Sequence, residues 1–521
     1  LACAGSSATT PGPASPSATA PAAASGATAS GAAPAAADAS AAAPAHSAYD
    51  KPSRAVLDVL HAAVPPTASV SPTNDAMILY SWVQYPPISR VAEPFLRLAG
   101  VRVEPKNRAV HGTRGNYGIT PCAAGYRLSK IPSGAEVHVA LPEGACAGSP
   151  YWSADGKHFA FRNLGADAVE LWLGDAATGE VHRVPSVRLN PMLGSFYTWM
   201  PDQKRLLVKL VPKDQGAPPA EQAAPSGPSV QDAAGEKGQS STYEANDVLK
   251  TPHDQDLFDY YAAAQLAYVD AATGAVTPIG AAGLYADVTP SPDGEHLLVE
   301  TIHKPYSYLT TVNRFPRNVD VWDASGKALH SVASIPLADR VPVHGVRTGP
   351  RDFAWRATDP ATLVWAEALD GGDWNAKVPQ RDKVMLQKAP FSAAPVEITR
   401  TEQRFGGVSW GERPNLALLH EYDDNRHWTR TFTLDVDDAK AKPQLLWDLS
   451  ADEHYKDPGE PAERQLPNGS WVTIQDGDSI YLAGEGSSPE GDRPFLDRLN
   501  LKTRQTERLF RSDKNAFERF W

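Results

Sequence analysis

Cysteine is scarce, with three in 521 residues, at Cys3, Cys122 and Cys146. No paired C-x-x-C zinc pattern can be built from them, and no H-E-x-x-H occurs. No run of about twenty apolar residues appears, so no helix is expected to span a membrane. Positive charge is in deficit too. The 49 Lys and Arg against 61 Asp and Glu leave a formal net charge of -12. A surface of that sign repels a phosphate backbone, and a nucleic-acid partner is not expected. Two acidic stretches, Asp370-Gly371-Gly372-Asp373 and Asp435-Val436-Asp437-Asp438, lack the twelve-residue spacing and closing glutamate of a calcium loop. Both read as solvated turns, and neither a metal nor a cofactor is expected.

What the chain has is punctuation. Its 46 prolines and 39 glycines fall mostly in the N-terminal tail and between short apolar runs, as in an all-β protein with many turns. The clearest unit runs from Asp287 to Asp323. Pro292-Asp293-Gly294 is a tight turn, because proline presets one dihedral and glycine takes a positive φ without steric cost. The strand Leu297-Leu298-Val299 follows, then Asn318-Val319-Asp320-Val321-Trp322, alternating with a period of two. Asp323-Ala324-Ser325-Gly326-Lys327 turns the chain again into Ala328–Val332. Such a meander alone would leave one face wet and its edges open.

The pattern recurs about seven times. Its openings are Ala68–Pro72, Tyr151–Gly156, Tyr197–Asp202, Val288–Gly294, Phe353–Ala357, Val408–Gly411 and Gly469–Val472. A period of roughly forty to seventy residues with four strands each predicts a β-propeller over 67–521. Phe517–Trp521 reads as the first strand of a truncated eighth blade, and the chain as part of something longer.

Before the repeats, Leu1-Ala2-Cys3-Ala4-Gly5 is similar to the end of an export signal, with Cys3 placed for lipidation and membrane anchoring. That implies an exported protein, periplasmic or tethered to an outer membrane. The stretch 1–48 is nearly all Ala, Ser, Pro, Thr and Gly, and is expected to be a disordered tether. Residues 49–66 hold a short helix and a linker. Ser53 is the candidate N-cap, and Val56, Val59 and Leu60 form an apolar stripe. Two insertions interrupt the repeats. One, at about 212–255, is rich in Pro, Gly, Ala, Gln and Ser and ends in Asp256–Tyr261; the other spans 80–125. Cys122 and Cys146 flank one predicted hairpin region. They can pair in an oxidising compartment, or remain two buried thiols.

Several short stretches together are familiar. Leu96-Arg97-Leu98-Ala99-Gly100, Pro225-Ser226-Gly227-Pro228, Asp256-Leu257-Phe258-Asp259-Tyr260-Tyr261 and His303-Lys304-Pro305-Tyr306-Ser307-Tyr308 are four of them. Arg314-Phe315-Pro316-Arg317, Val319–Asp323 and Phe405-Gly406-Gly407-Val408-Ser409-Trp410 complete the set. In number and order they resemble the glutamyl endopeptidase branch of the prolyl oligopeptidase family of serine peptidases, from about Tyr49 to Trp521. That family joins an N-terminal propeller to a C-terminal α/β-hydrolase domain with a Ser-Asp-His triad, and its members cut after glutamate. The resemblance implies a propeller that gates peptide substrates and packs against its own hydrolase domain, which these residues do not contain. The competing reading is a stand-alone propeller that binds a peptide or protein without catalysis, since propellers host many functions.

Gly407-Val408-Ser409-Trp410-Gly411 matches G-x-S-x-G, but a nucleophile elbow needs a strand, a sharp turn and a helix. Here a blade turn and the strand Leu416–Leu419 follow, so a catalytic Ser409 is not expected. The better candidates lie where basic and aromatic residues mix. Selecting glutamate requires fixed positive charge, and arginine binds a carboxylate with a planar fork. Arg314, Arg317 and Lys304 are the candidate carboxylate readers, with Tyr306 and Tyr308 lining a peptide path. The plainer alternative has these cations pairing with Asp320 and neighbouring acids to hold a blade together.

Overall fold

The computed structural model describes residues 52–111, 119–221 and 245–520. Cys3, the tail at 1–48, Pro225–Pro228 and Trp521 lie outside the described residues. The chain divides into two compact units, Leu1–Val64 and Pro65–Trp521. In the first, helix α1 spans Arg54–Leu60. Ser53 precedes it, but its side chain makes no capping hydrogen bond. Val56 and Val59 are exposed.

The second unit is almost entirely antiparallel sheet. Six four-stranded sheets follow one another along the chain. The first joins Thr67–Val70, Ala76–Trp82, Ala123–Lys130 and Glu136–Val139. The second is Tyr151–Trp152, His158–Leu164, Val169–Asp175 and Val181–Arg183, and the third Tyr197–Trp199, Arg205–Leu210, Ala264–Asp270 and Val276–Gly283. The fourth is Tyr285–Pro290, His296–Ile302, Arg317–Asp323 and Ala328–Ile335. The fifth is Pro350–Trp355, Thr362–Ala368, Asp382–Lys388 and Val396–Thr401. The sixth is Arg404–Trp410, Leu416–Asp423, Trp428–Asp435 and Gln444–Ser450.

The turn between the first two strands explains the recurrence. Ser71, Ser153 and Ser291 are buried at its start. In the fourth sheet the Ser291 hydroxyl donates to Asp293, and the His296 N–H donates to Ser291 Oγ at 3.0 Å. Gly294 closes the turn by donating to Ser291 O at 2.8 Å, with φ +73°. A short polar side chain thus satisfies backbone groups that the turn would otherwise leave unpaired inside.

Adjacent sheets are glued by apolar faces. One cluster, including Tyr126, Trp152 and Phe159, joins the first and second sheets. Leu171, Trp199 and Val208 belong to the next, and Leu207, Leu266 and Val299 to the third. Val321 with Trp365, Val384 with Trp410, and Leu418 with Ile480 carry the chain of contacts on to the seventh sheet. Each sheet from the second to the sixth therefore packs against a neighbour on both sides, which covers the wet face that a lone meander would leave.

Four expectations need correction. The seventh sheet does not open on Trp471. It pairs Glu460–Pro461, Ser479–Gly484, Phe495–Asn500 and Thr506–Arg511, with Gln475–Asp476 beside the second of these. Trp471–Thr473 instead forms a separate hairpin with Glu463–Gln465, closed by Gly469 donating to Leu466 O at 2.8 Å. At its tip Asn468 Nδ2 donates to Pro292 O of the fourth sheet at 3.1 Å. Second, residues 512–520 form no strand here. Ser512 Oγ donates to Ala516 O at 2.6 Å, folding this segment into a turn. Third, α1 is not the only helix, since α2 (Ile88–Val91) and α3 (Pro252–Ala262) lie in the two insertions. Fourth, Asp370 is not a solvated turn residue, as its carboxylate is fully buried between arginines.

In each four-stranded meander the second-to-third connection falls at the same end as the link to the next sheet. Both insertions, the loop 303–316 and the loop 336–349 are connections of this kind. The two insertions and these two loops therefore gather at one end of the sheets, while the Glu463–Thr473 hairpin lies at the other.

Candidate functional site

Four of the stretches that looked familiar in the sequence meet in space, those at 96–100, 256–261, 303–308 and 314–317. Leu98, Ala99, Val103, Phe258, Tyr261, Tyr306, Val312 and Phe315 share one buried core. It is assembled from the two insertions and from the 303–316 loop of the fourth sheet. The first insertion supplies a three-stranded sheet, Leu96–Leu98, Val101–Val103 and Val110–His111. Its Ala99-Gly100 turn presses against the loop, where Val312 N–H donates to Ala99 O at 2.8 Å. Gly100 has φ +87°, and a Cβ there would lie 2.6 Å from Thr311 Cγ2. Only glycine meets both demands.

The second insertion supplies α3. Thr251 Oγ1 accepts from the Asp254 N–H at 3.1 Å, the Asp254 carboxylate accepts from the Thr251 N–H at 3.1 Å, and Pro252 takes the first turn. This is a capping box. The buried face of α3 carries Phe258 and Tyr261. Arg102 and Arg97 hold Asp247, at 2.6 and 3.4 Å, and so tie the first insertion to the chain leading into α3.

This core decides where the candidate residues go. Tyr306 is 7% exposed, stacked on Phe315 at 5.0 Å, and its hydroxyl donates to Asp259. It is spent on packing rather than presented to a peptide. Burial, helped by the Asp259 hydrogen bond, raises its phenol above the usual range. The Tyr308 hydroxyl accepts from Gln255 Nε2 at 2.6 Å. Lys304 is 54% exposed and pairs with Asp259 at 2.9 Å. Arg314 ends a single 3-10 turn, Val312–Arg314, and is half-buried. Arg317 is the first residue of a strand rather than part of a loop, because its backbone pairs with Ile302 and Ile335. Its carboxylate partner is Glu300, at 2.9 Å, rather than Asp320.

A residue not singled out in the sequence completes the group. Arg347, from the loop before the fifth sheet, donates through Nη2 to Asn313 O. Arg317 Nη2 donates to the same oxygen at 3.0 Å. Two guanidinium groups thus share one carbonyl, directly beside Arg314. Burial lowers the Arg347 pKa to about 10; Arg317 and Arg314 add to the lowering, while Glu300 and Asp352 oppose it. Arg347 stays charged at neutral pH. The three guanidiniums gather there, with Glu300 and Asp352 nearby, in a half-buried setting where screening is weak. Nothing local in Val346-Arg347-Thr348-Gly349 marks this role, because the partners come from another sheet. Deeper in, Lys209 donates to the carbonyls of Leu193, Tyr285 and Ala286, and burial lowers its amine to about 8.

Ser409 lies inside the first strand of the sixth sheet, not on an elbow. Its Oγ is 3.1 Å from His420 Nε2, and His420 Nδ1 is 3.2 Å from Thr431 Oγ1. A threonine stands where a triad has a carboxylate, and burial pulls the imidazole down to about 4. Ser409 is a packing residue. Cys122 and Cys146 are joined by a disulfide beside the first insertion.

No protein-family model matches the chain. It is 35% identical over 495 residues to a probable chloroplastic glutamyl endopeptidase of Oryza sativa subsp. japonica, covering 91% of this chain and 52% of that protein. A protein of the same name from Arabidopsis thaliana is 32% identical over 494 residues, covering 90% of this chain and 50% of that protein. Among solved structures, a prolyl endopeptidase is 15% identical with a TM-score of 0.41, covering 82% of this chain and 52% of that one. The β-propeller domain of the trilobed protease from Pyrococcus furiosus is 9% identical with a TM-score of 0.39, covering 88% and 99%. An oligogalacturonate lyase in complex with manganese is 14% identical with a TM-score of 0.40, covering 74% and 84%. Structural likenesses this distant carry no functional argument. The chain is thus a homologue, over nine tenths of its length, of plant proteins named probable glutamyl endopeptidase, and it spans about half the length of each.

Proposed function

We propose that this chain is the substrate-selecting β-propeller portion of a serine endopeptidase that cleaves after glutamate, with the triad in polypeptide outside these 521 residues. The observation that carries the reading is the gathering of the Arg314, Arg317 and Arg347 guanidiniums around the Asn313 turn, at the end of the sheets that bears the insertions. The identity to proteins named glutamyl endopeptidase supports the same chemistry. Arg347 and Arg314 read the substrate carboxylate. Arg317 is a positioning residue, since Glu300 and the Val312 and Asn313 carbonyls hold it while it holds the turn. The seven sheets close as a ring, a reading supported by the run of inter-sheet clusters and by the Asn468 contact to the fourth sheet. The protein is exported, and Cys3 carries a lipid; the Cys122–Cys146 disulfide suits an oxidising compartment.

The test compares two proteins on peptides with a single Glu: the 521-residue chain, and the same chain extended to the length of its relatives. The extended protein is expected to cut after Glu and to lose activity to a serine-directed fluorophosphonate, while the shorter chain shows no turnover. Hydrolysis by the shorter chain at a comparable rate, or cleavage indifferent to Glu, would reject the reading.

A further inference from the structure

A second concentration of positive charge lies at the C-terminal end of α3 and shares no lining residue with the arginine group around Asn313. It is a cleft of about 190 Å³ between the Glu104–Ala109 turn, the segment before the third sheet, the chain after Leu210, and the C-terminal end of α3. Its lining includes Lys106, Arg108, Arg188 and Lys213, and no carboxylate. The rest of the wall is largely proline, glycine and the two tyrosines 260 and 261.

Arg108 forms the floor. It is 5% exposed and donates to the carbonyls of Tyr260 at 3.2 Å and Tyr261 at 2.9 Å, and to Gln215. It also lies over both tyrosine rings, at 5.0 and 5.1 Å. Part of its role is plain: a cation on the last carbonyls of a helix satisfies orphan acceptors and suits the dipole. That role accounts for two of the five guanidinium N–H groups, and the Gln215 side chain takes a third. It gives no reason for Lys106, Arg188 and Lys213 to gather at the same cleft. Among the described residues, none of the four cations makes an ion pair with a carboxylate. Arg188 is close enough to Arg108 to disfavour its charge, which burial already disfavours. On a chain of net charge -12, four cations around one cavity with no carboxylate partner among the described residues, Arg188 donating only to Asp167 O at 3.3 Å, form a local field opposite to that of the whole molecule.

We propose that this cleft binds a small multivalent oxyanion, of the phosphate or polycarboxylate kind, held by Lys106, Arg188 and Lys213 above the Arg108 floor. The anion neutralises the repulsion among these cations. It also bridges the first insertion, through Lys106, to the segments that carry Arg188 and Lys213, and so steadies the C-terminal end of α3.

Titration calorimetry on the 521-residue chain, with inorganic phosphate and citrate as separate probes, tests this. At least one should bind at low salt and weaken as sodium chloride rises. The double variant K106A/K213A and the single variant R188A should each weaken binding about tenfold or more, with unchanged melting in the absence of the anion. The control K157A, at an exposed lysine that does not line the cleft, should bind as the parent does. Binding of phosphate alone would identify a phosphoryl ligand, and of citrate alone a carboxylate ligand. If neither probe binds, or if K106A/K213A and R188A bind as tightly as the parent, the assignment fails. This outcome is independent of whether the longer protein cleaves after glutamate.

Discussion

His420 and Glu421 are neighbours on one strand, face opposite sides of the sixth sheet, and are shifted in opposite senses by burial. His420 is pulled down to about 4. Glu421 is pushed up to about 7, although the N–H of Glu402 donates to it at 2.9 Å. In the unfolded chain His420 would take its proton near pH 6.5, so between 6.5 and 4 the unfolded state binds more protons and stability rises with pH. Glu421 does the reverse. The fold keeps its proton up to about 7 while the unfolded chain loses it near 4.5, so stability falls as pH rises through that window. Each contribution is ~3 kcal/mol, and together they largely cancel. E421Q should unmask the histidine, giving a melting temperature that climbs from pH 4.5 to 6.5 more steeply than in the parent. A parent-like pH profile for E421Q would show that the glutamate does not titrate there. At this scale the sequence was partly legible. Arg314 and Arg317 stood out because they flank Phe315-Pro316 in a turn-rich stretch. Arg347 did not, because its partner Asn313 lies 34 positions away and the contact exists only once the fourth and fifth sheets pack.

At the scale of elements, buried charge separates structural ties from surface ornament. Asp382 is fully buried, receives Arg351 Nη2 at 2.6 Å and the Phe405 N–H at 2.8 Å, and lies 3.2 Å from Arg404. Arg404 in turn holds Asp370 with both terminal nitrogens, at 2.9 and 2.6 Å. This network pins the fifth sheet to the sixth. D382A should lower unfolding stability by about 3–5 kcal/mol, because it leaves two buried guanidiniums undercompensated. E397A, which breaks an exposed pair with Arg400, should cost about 1 kcal/mol or less. Equal losses in denaturant melts would contradict this division. The meander was readable because its turn is local: Ser291, Asp293 and Gly294 lie within four residues of one another. Helix α3 carried a local signal as well, Thr251-Pro252-His253-Asp254, which the polar composition of the insertion around it obscured. The hairpin around Gly469 was misread because Trp471 occupies the same position as the strand-opening tryptophans elsewhere. Its pairing with Glu463–Gln465 depends on a turn that those repeats lack.

For the whole molecule, seven consecutive sheets carry at one end a single core made by two insertions and one loop. Four of the stretches through which the sequence resembled a peptidase family map onto that core. Its burial of Tyr306 and Phe315 explains why part of the basic and aromatic cluster is structural, while Arg314 and Arg347 sit at its edge. The account rests on that edge reading a carboxylate. The most direct measurement is kcat/KM for two peptides differing only in Glu against Gln at the cleaved position, in the extended protein and its R347A variant. The account predicts that R347A loses about ten- to a hundred-fold on the Glu peptide and little on the Gln peptide, since a charged hydrogen bond is worth roughly 1.5–3 kcal/mol. Equal losses on both peptides, or no loss on either, would contradict it.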